Sequence, residues 1–291
     1  AFVHGGPFAN IAQGTCSIMS MKMAAGLADF VVTVAGFGFD LGGEKFFDIV
    51  CRMNGLNPQA VVLVATIRAL KMHGGKSKTE LDIPDLEAIR RGFENLEKHL
   101  ENLAFFGIPG IVALNRFATD TEAEISLLNE LVASKGYPFA VVDSFAKGSA
   151  GAIELAEKVA EIVQNERHFT PLYELDTPVI EKVNTVCQKI YGAEEVEYTP
   201  EARADLQQIK NLGLENLPIC IAKTQNSLSD NPNLIGRPRN YTLTVRQIGI
   251  SAGAGFLVPV TGNILLMPGL PTKPVAENVT IDDDGNISGL F

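Results

Sequence analysis

Cysteine is scarce: the four in the chain (Cys16, Cys51, Cys187, Cys220) are far apart and form no C-x-x-C pair. That spacing excludes a disulfide frame or a cysteine zinc site and points to reduced, mostly buried thiols in a cytoplasmic protein. The four histidines have no metal-ligand spacing either. Long apolar runs are absent, which excludes a membrane-spanning helix, and no secretory apolar segment opens the sequence. Net positive charge is also missing. At −10, the chain is a poor candidate for non-specific nucleic-acid binding, which needs a clustered cationic face. There is no solenoid-period repeat, no low-complexity tract and no nucleophile elbow for Ser/His/Asp chemistry. Gly75-Lys76-Ser77 resembles the end of a phosphate loop, but the pattern needs a Gly five positions earlier, where Leu70 stands. No triphosphate cradle is recognisable. Asp282-Asp283-Asp284-Gly285-Asn286 starts like a calcium loop, yet it lacks flanking helices and a Glu at the twelfth position, and reads as a solvated turn.

What is present alternates between strand-like and helix-like segments. Strands are predicted at 30–34, 60–65, 110–115 and 139–143, and helices at 44–52, 84–106, 121–134 and 150–166. Residues 66–83 read as a polar loop. Pro84 fits the first turn of its helix, and Thr119 or Asp120 is the expected N-cap of the next. This order predicts an α/β fold with a mostly parallel, doubly wound sheet. Helices at 179–191 and 200–212 follow, then strands at 219–223, 241–248 and 257–266 in a smaller α+β region. The expected division is 1–106, 107–192 and 193–291. The opening Ala1-Phe2-Val3-His4-Gly5-Gly6-Pro7 suggests that the chain is the later part of something longer.

Three places could carry chemistry. The 60–65 run reads as a strand buried on both faces that delivers Arg68, Lys71 and His73 to its carboxyl end, where open α/β sheets bind anions. Arg and Lys there could grip a carboxylate or phosphate, or simply pair with neighbouring acids. Gly36-Phe37-Gly38-Phe39-Asp40-Leu41-Gly42 is either an anion-binding loop or a tight turn, with aromatics that could stack on a planar ring. Asn115-Arg116-Phe117 and Asp143-Ser144-Phe145 end two more strands on the same sheet edge.

Several segments carry a resemblance to the formate–tetrahydrofolate ligases (formyltetrahydrofolate synthetases), specifically to their C-terminal half. They are Phe2-Val3-His4-Gly5-Gly6-Pro7-Phe8-Ala9-Asn10-Ile11-Ala12, the 35–47 stretch, the VATIRALKMHGG wording of 64–75, Asn115-Arg116-Phe117, Leu217-Pro218-Ile219-Cys220-Ile221-Ala222-Lys223-Thr224, and the 252–256, 267–272 and 289–291 motifs. The resemblance implies a P-loop-NTPase-like family fold without its P-loop half. It also implies a ligase of one-carbon metabolism that joins formate to tetrahydrofolate with ATP and Mg²⁺, through formyl phosphate, as a cytoplasmic homotetramer aided by a monovalent cation. By resemblance, Phe37 stacks on the folate aminobenzoyl ring, and Phe117 and Phe145 bracket folate or adenine. Asp40 and Asn115 join these ligand-binding positions, while Arg68, Lys71 and His73 line the cleft as candidate catalytic groups. An N-terminal P-loop half, in cis or in trans, is the implied partner. Departures from the family pattern are Gln13, Val34, Phe39 (at a small position, narrowing the folate pocket), Ala118 and Phe145, where Trp is usual. They keep open an alternative: a non-catalytic folate-binding or assembly subunit.

Overall fold

The computed structural model describes residues 6–262, 264, 272–283, 285 and 287–289. The 1–5 and 267–271 parts of the matched motifs, the strand's expected continuation at 265–266, Asp284, Asn286 and residues 290–291 lie outside them. The described chain is a mixed α/β structure built on three small sheets.

The aliphatic runs form the first sheet. β1 (Val61–Ala65), β2 (Gly110–Asn115) and β3 (Phe139–Val142) lie parallel in the order β1-β2-β3. Val61 is opposite Gly110, and Val112 is opposite Phe139. Helices cover both faces of β2. Val112 and Leu114 pack on one side with Ile89, Phe93 and Leu128, while Ile111 packs on the other with Ala140 and Ile162. The expectation that β1 is buried on both faces is corrected, because β1 is the edge strand and Val62 and Val64 are 38% and 65% exposed.

α1 (Ile18–Ala25) is followed by an extended stretch where a strand is predicted at 30–34. Phe30, Val32 and Val34 there are exposed, and no ladder among the described residues pairs them. β-branched composition therefore favours an extended backbone without supplying a partner strand. The Gly-rich segment turns helical early: π-helical stretches at Phe39–Gly43 and Phe46–Cys51 run into α2 (Arg52–Asn54), which ends at Gly55 in the left-handed conformation. Phe39 faces inward against Phe47 and Phe106, at ring distances of 6.0 and 5.8 Å. It is core rather than the pocket wall expected.

After β1, residues 66–83 are not simply a loop. α3 (Ile67–His73) starts at once, with the Thr66 hydroxyl accepting from the Ala69 N–H at 3.0 Å. The long α4 (Leu86–Ala104) is N-capped by Asp85, so Pro84 precedes the cap instead of occupying the first turn. α3 and α4 meet backbone to backbone: a Cβ on Gly92 would lie 1.8 Å from the Leu70 carbonyl oxygen, and one on Gly74 would lie 1.9 Å from that of Ala88. α5 (Glu122–Ser134) is capped by Thr121 in a capping box with Glu124, one residue beyond the expected cap. α6 (Ser144–Lys147) and α7 (Ile153–Ile162) follow β3.

α8 (Val179–Thr185) continues into a π-helical stretch at Val186–Tyr191, and α9 (Pro200–Asn211) packs on β5. β4 (Glu195–Tyr198), β5 (Thr242–Ser251) and β6 (Phe256–Thr261) make the second sheet, parallel then antiparallel. The strand predicted at 219–223 is reduced to bridges from Ile219 and Ala222 to β6. β7 (Thr280–Ile281) and β8 (Ile287–Ser288) form a short hairpin. One core joins Phe47, Leu103, Val183 and Tyr191 to Leu243 and Leu257, tying the helical segments to the second sheet. No described helix is long and apolar enough to cross a membrane.

Candidate functional site

The carboxyl ends of β1, β2 and β3 deliver three loops to one edge of the parallel sheet, where α/β folds place ligands. Arg68, in the first turn of α3, donates from Nη1 to Asp82 Oδ1 at 2.7 Å, and its guanidinium lies 5.5 Å from the centre of the Phe117 ring. Thr119 Oγ1 donates to the same Asp82 oxygen at 3.2 Å. Phe117 is held by its own turn, in which its N–H donates to Asp120 Oδ2 at 2.8 Å and the Asp120 N–H returns to its carbonyl at 3.0 Å. Burial, above all, pushes the Asp120 carboxyl above its ordinary pKa. Asn115 ends β2 half-buried beside this turn.

A pocket of about 300 Å³ opens next to it, lined by Arg116, Val141, Asp143, Lys147, Gly151 and Glu154 among others. That volume is at the lower limit for small-molecule sites and would suit a ring system better than a whole triphosphate. Lys147 pairs with Asp143 at 3.0 Å, and Arg116 donates to Glu122 at 2.8 Å. Phe145 is fully exposed, at 102% relative accessibility. An aromatic ring left in water still has its whole apolar face to bury, so it is available to a ligand.

The other two cations of the expected cleft are occupied elsewhere. Lys71 is 1% exposed, sits 2.6 Å from Glu124 Oε1 and donates to the Leu81 carbonyl at 3.1 Å. Glu124 also accepts from the Asp85 N–H and from Thr121, so it joins α3, the start of α4 and α5. Burial would raise the Glu124 carboxyl, but Lys71 and Thr121 outweigh it and hold it below the usual range. His73 accepts a hydrogen bond at Nδ1 from the Gly236 N–H at 3.1 Å, which requires that nitrogen to be unprotonated. Burial, then the neighbouring His99, lowers the His73 pKa. Neither residue presents a free cation. The Gly75-Lys76-Ser77 stretch is likewise committed: Lys76 pairs with Asp85 at 2.8 Å, and Ser77 caps a turn with Glu80.

A second constellation lies at the start of the π-helical segment. Phe37 has φ +59° and is 51% exposed. A bulky residue in that conformation costs on the order of 1–3 kcal/mol, and such strain concentrates at functional sites. Its ring faces Phe8, itself 52% exposed, with centroids 6.5 Å apart and planes inclined by 26°. Glycines make the turn possible. A Cβ on Gly42 would stand 2.2 Å from the Gly36 oxygen, and one on Gly38 would stand 2.5 Å from Asp40 Oδ1.

Beneath the two rings the charges are buried. Asp40 Oδ2 lies 3.1 Å from Lys223 Nζ, the two side chains being 7% and 0% exposed. Burial would raise the Asp40 carboxyl, but Lys223, His99 and Lys45 together hold it below its ordinary pKa. Lys223 also donates to the Thr224 carbonyl at 3.0 Å and to that of Ser227, and its backbone N–H donates to the Asn10 carbonyl at 2.9 Å. Lys45, fully buried, donates to the Ala9 carbonyl.

One turn further along the helix, neither Glu44 oxygen meets a donor among the described residues. Burial, then Asp48, raises its pKa well above the usual range. Asp48 accepts from the Leu172 N–H at 2.9 Å, yet burial still pushes its pKa up to about 7. This pair therefore holds protons where ordinary carboxyls do not. Among the described residues no three His, Cys, Asp or Glu side chains converge to hold a metal ion.

The expected residues thus divide into two groups. Arg68, Asn115, Phe117 and Phe145 gather at the sheet edge, Phe37 and Asp40 belong to the pinned turn, and α3 separates Arg68 from His73. Sequence reasoning missed Phe8 as a ring partner, Lys223 as the counterion of Asp40, and Glu124 as that of Lys71. The first two sit inside the matched motifs, which was the available signal; an acid in the first turn of a helix offers no such cue. The family model for formate–tetrahydrofolate ligase matches residues 1–291, the whole chain, and with aromatic rings open at the sheet edge and on the strained turn, the chain belongs to that family.

Proposed function

We propose that the chain supplies the folate- and base-binding side of a formate–tetrahydrofolate ligase and works with a further segment, in cis or in trans, that grips the phosphates of ATP. The observation that carries this reading is the pair of exposed rings at the sheet edge, Phe117 under Arg68 and Phe145 in open solvent. Phe117 and Phe145 bracket folate or adenine beside the pocket, and Phe37 stacks on the aminobenzoyl ring. Arg68, already partly neutralised by Asp82, orients the Phe117 ring and faces an anionic substituent of the ligand. ATP supplies the activation that converts formate, a poor electrophile, into formyl phosphate, whose phosphate leaves as N10 of tetrahydrofolate attacks. The rings hold that amine in line and exclude water from the acyl carbon.

The need for a separate phosphate cradle follows from the missing Walker spacing and from Lys76, which is held by Asp85. Among the described residues no cluster of three His, Cys, Asp or Glu side chains is placed to hold the Mg²⁺ of the family. In this reading the sheet is part of a larger doubly wound sheet and the enzyme is a cytoplasmic homotetramer.

Reconstitution tests the proposal. Alone, the chain is expected to release no ADP; mixed with a P-loop half, it is expected to form 10-formyltetrahydrofolate from formate and ATP. Phe145→Ala should leave the melting temperature unchanged and weaken ligand binding by about tenfold, the scale of one stacked ring. Formate- and folate-dependent ADP release by the chain alone would sink the need for a partner. Tetrahydrofolate binding without turnover in the mixture would favour the non-catalytic reading.

A further inference from the structure

We infer that Phe8 is a second ring-binding residue, forming with Phe37 a two-sided clamp for one planar aromatic ring of the substrate. This inference rests on the reading that Phe37 stacks on the aminobenzoyl ring and adds the opposite face. Both rings are about half exposed, although packing against other apolar groups would favour hiding them. They are inclined by only 26°, with centroids 6.5 Å apart. A ring sandwiched between two others needs about 7 Å from one to the other, twice the carbon–carbon contact distance, and the centroid separation of 6.5 Å is close to that span.

The two walls are held from below. Lys223 reaches both loops, through its N–H to Asn10 and its ammonium to Asp40. Lys45 holds the Ala9 carbonyl directly after Phe8, and the Gly36 N–H donates to Gly14 at 2.9 Å directly before Phe37. The Phe8 carbonyl itself accepts from Ala12 at 2.8 Å, closing its loop into a turn. Strain at Phe37 persists because the loop around it is fixed on both sides, which is how preorganised contact surfaces are built. The class of ligand that two apolar ring faces fit is a flat, uncharged aromatic ring.

The test is calorimetric titration of tetrahydrofolate into the full chain and its variants, with thermal melting alongside. Phe8→Leu keeps apolar volume but removes the ring, and is expected to weaken binding about three- to tenfold, as is Phe37→Leu. The double variant should lose less than the product of the two losses, because one guest bridges both walls. Phe8→Tyr should bind like the wild type. If Phe37→Leu weakens binding and Phe8→Leu does not, the clamp is overturned while the folate reading stands. If the wild type binds and Phe37→Leu binds equally well, the reading of Phe37 itself is overturned. Should Phe8→Leu melt early, Phe8→Trp gives the chain its only tryptophan. A blue shift of its emission on adding tetrahydrofolate then supports the clamp, and an unmoved emission overturns it.

Discussion

The sheet-edge corner and the pinned turn use the same ingredients in opposite order. At the corner, charges are exposed beside exposed rings: the Arg68 and Asp82 side chains are 36% and 58% exposed. At the turn, exposed rings sit on buried charges, with Lys223 and Asp40 at 0% and 7%. Ion pairs in water contribute little to stability and exchange partners freely, whereas a buried pair cannot lose one member without stranding the other. The corner therefore has charges to offer a ligand, and the turn spends its charges on holding the backbone. Lys71 and Glu124 show that a buried pair of the turn's kind also lies directly beneath the corner.

The largest effect should come from breaking that pair. Glu124→Leu strands the Lys71 ammonium and is expected to cost about 3–5 kcal/mol in urea unfolding, with the double change Lys71→Met/Glu124→Leu recovering much of the loss. A single-variant loss below about 1 kcal/mol would show that the pair is less dry than its burial implies.

An intermediate effect is expected from pH. Asp48 has a folded pKa of about 7, above its unfolded value, so the native state binds more protons between about pH 4 and 7. Its contribution is complete at low pH and is lost as pH rises, at up to roughly 1.4 kcal/mol per pH unit. His73 and His99, both lowered, act with the opposite sign, since acid below about pH 6.5 protonates them in the unfolded chain first. The informative measurement is the difference between wild type and Asp48→Asn, which should grow in favour of the variant as pH rises towards 7. A flat difference would mean that Asp48 titrates normally.

The smallest stability effect belongs to the corner. Arg68→Ala should shift unfolding by no more than about 1 kcal/mol, as exposed pairs do, while disturbing the Phe117 ring and ligand binding more. A larger stability loss than that of Glu124→Leu would invert the comparison.

These differences also explain what could be read from the sequence. β2 and α5 follow their apolar periods almost to the residue, because each packs against a well-filled core. α3 was hidden by its length: seven residues with Lys71 and His73 in the last turn look like a loop until α4 is placed against them. The run at 30–34 has strand composition but no paired neighbour among the described residues, and pairing is not a property of a single segment. Residue types at the site were legible; their solvent exposure was not. Arg68 and Lys71 lie three positions apart on one short helix, yet one is partly exposed and the other is dry. Phe37 and Phe39 part in the same way, one outward on a left-handed backbone and the other in the core. A left-handed turn at a non-glycine residue leaves no mark in the sequence.

The glycine contacts between α3 and α4 have a mechanical consequence. With no side chain between the two backbones, α3 and α4 approach so closely that a Cβ at Gly74 or Gly92 would collide with a carbonyl of the facing helix. α3 carries Arg68 near one end and His73 at the other. A side chain added at either glycine would push α3 off α4 and carry Arg68 and His73 with it, away from the sheet edge and from the Gly236 segment that His73 holds.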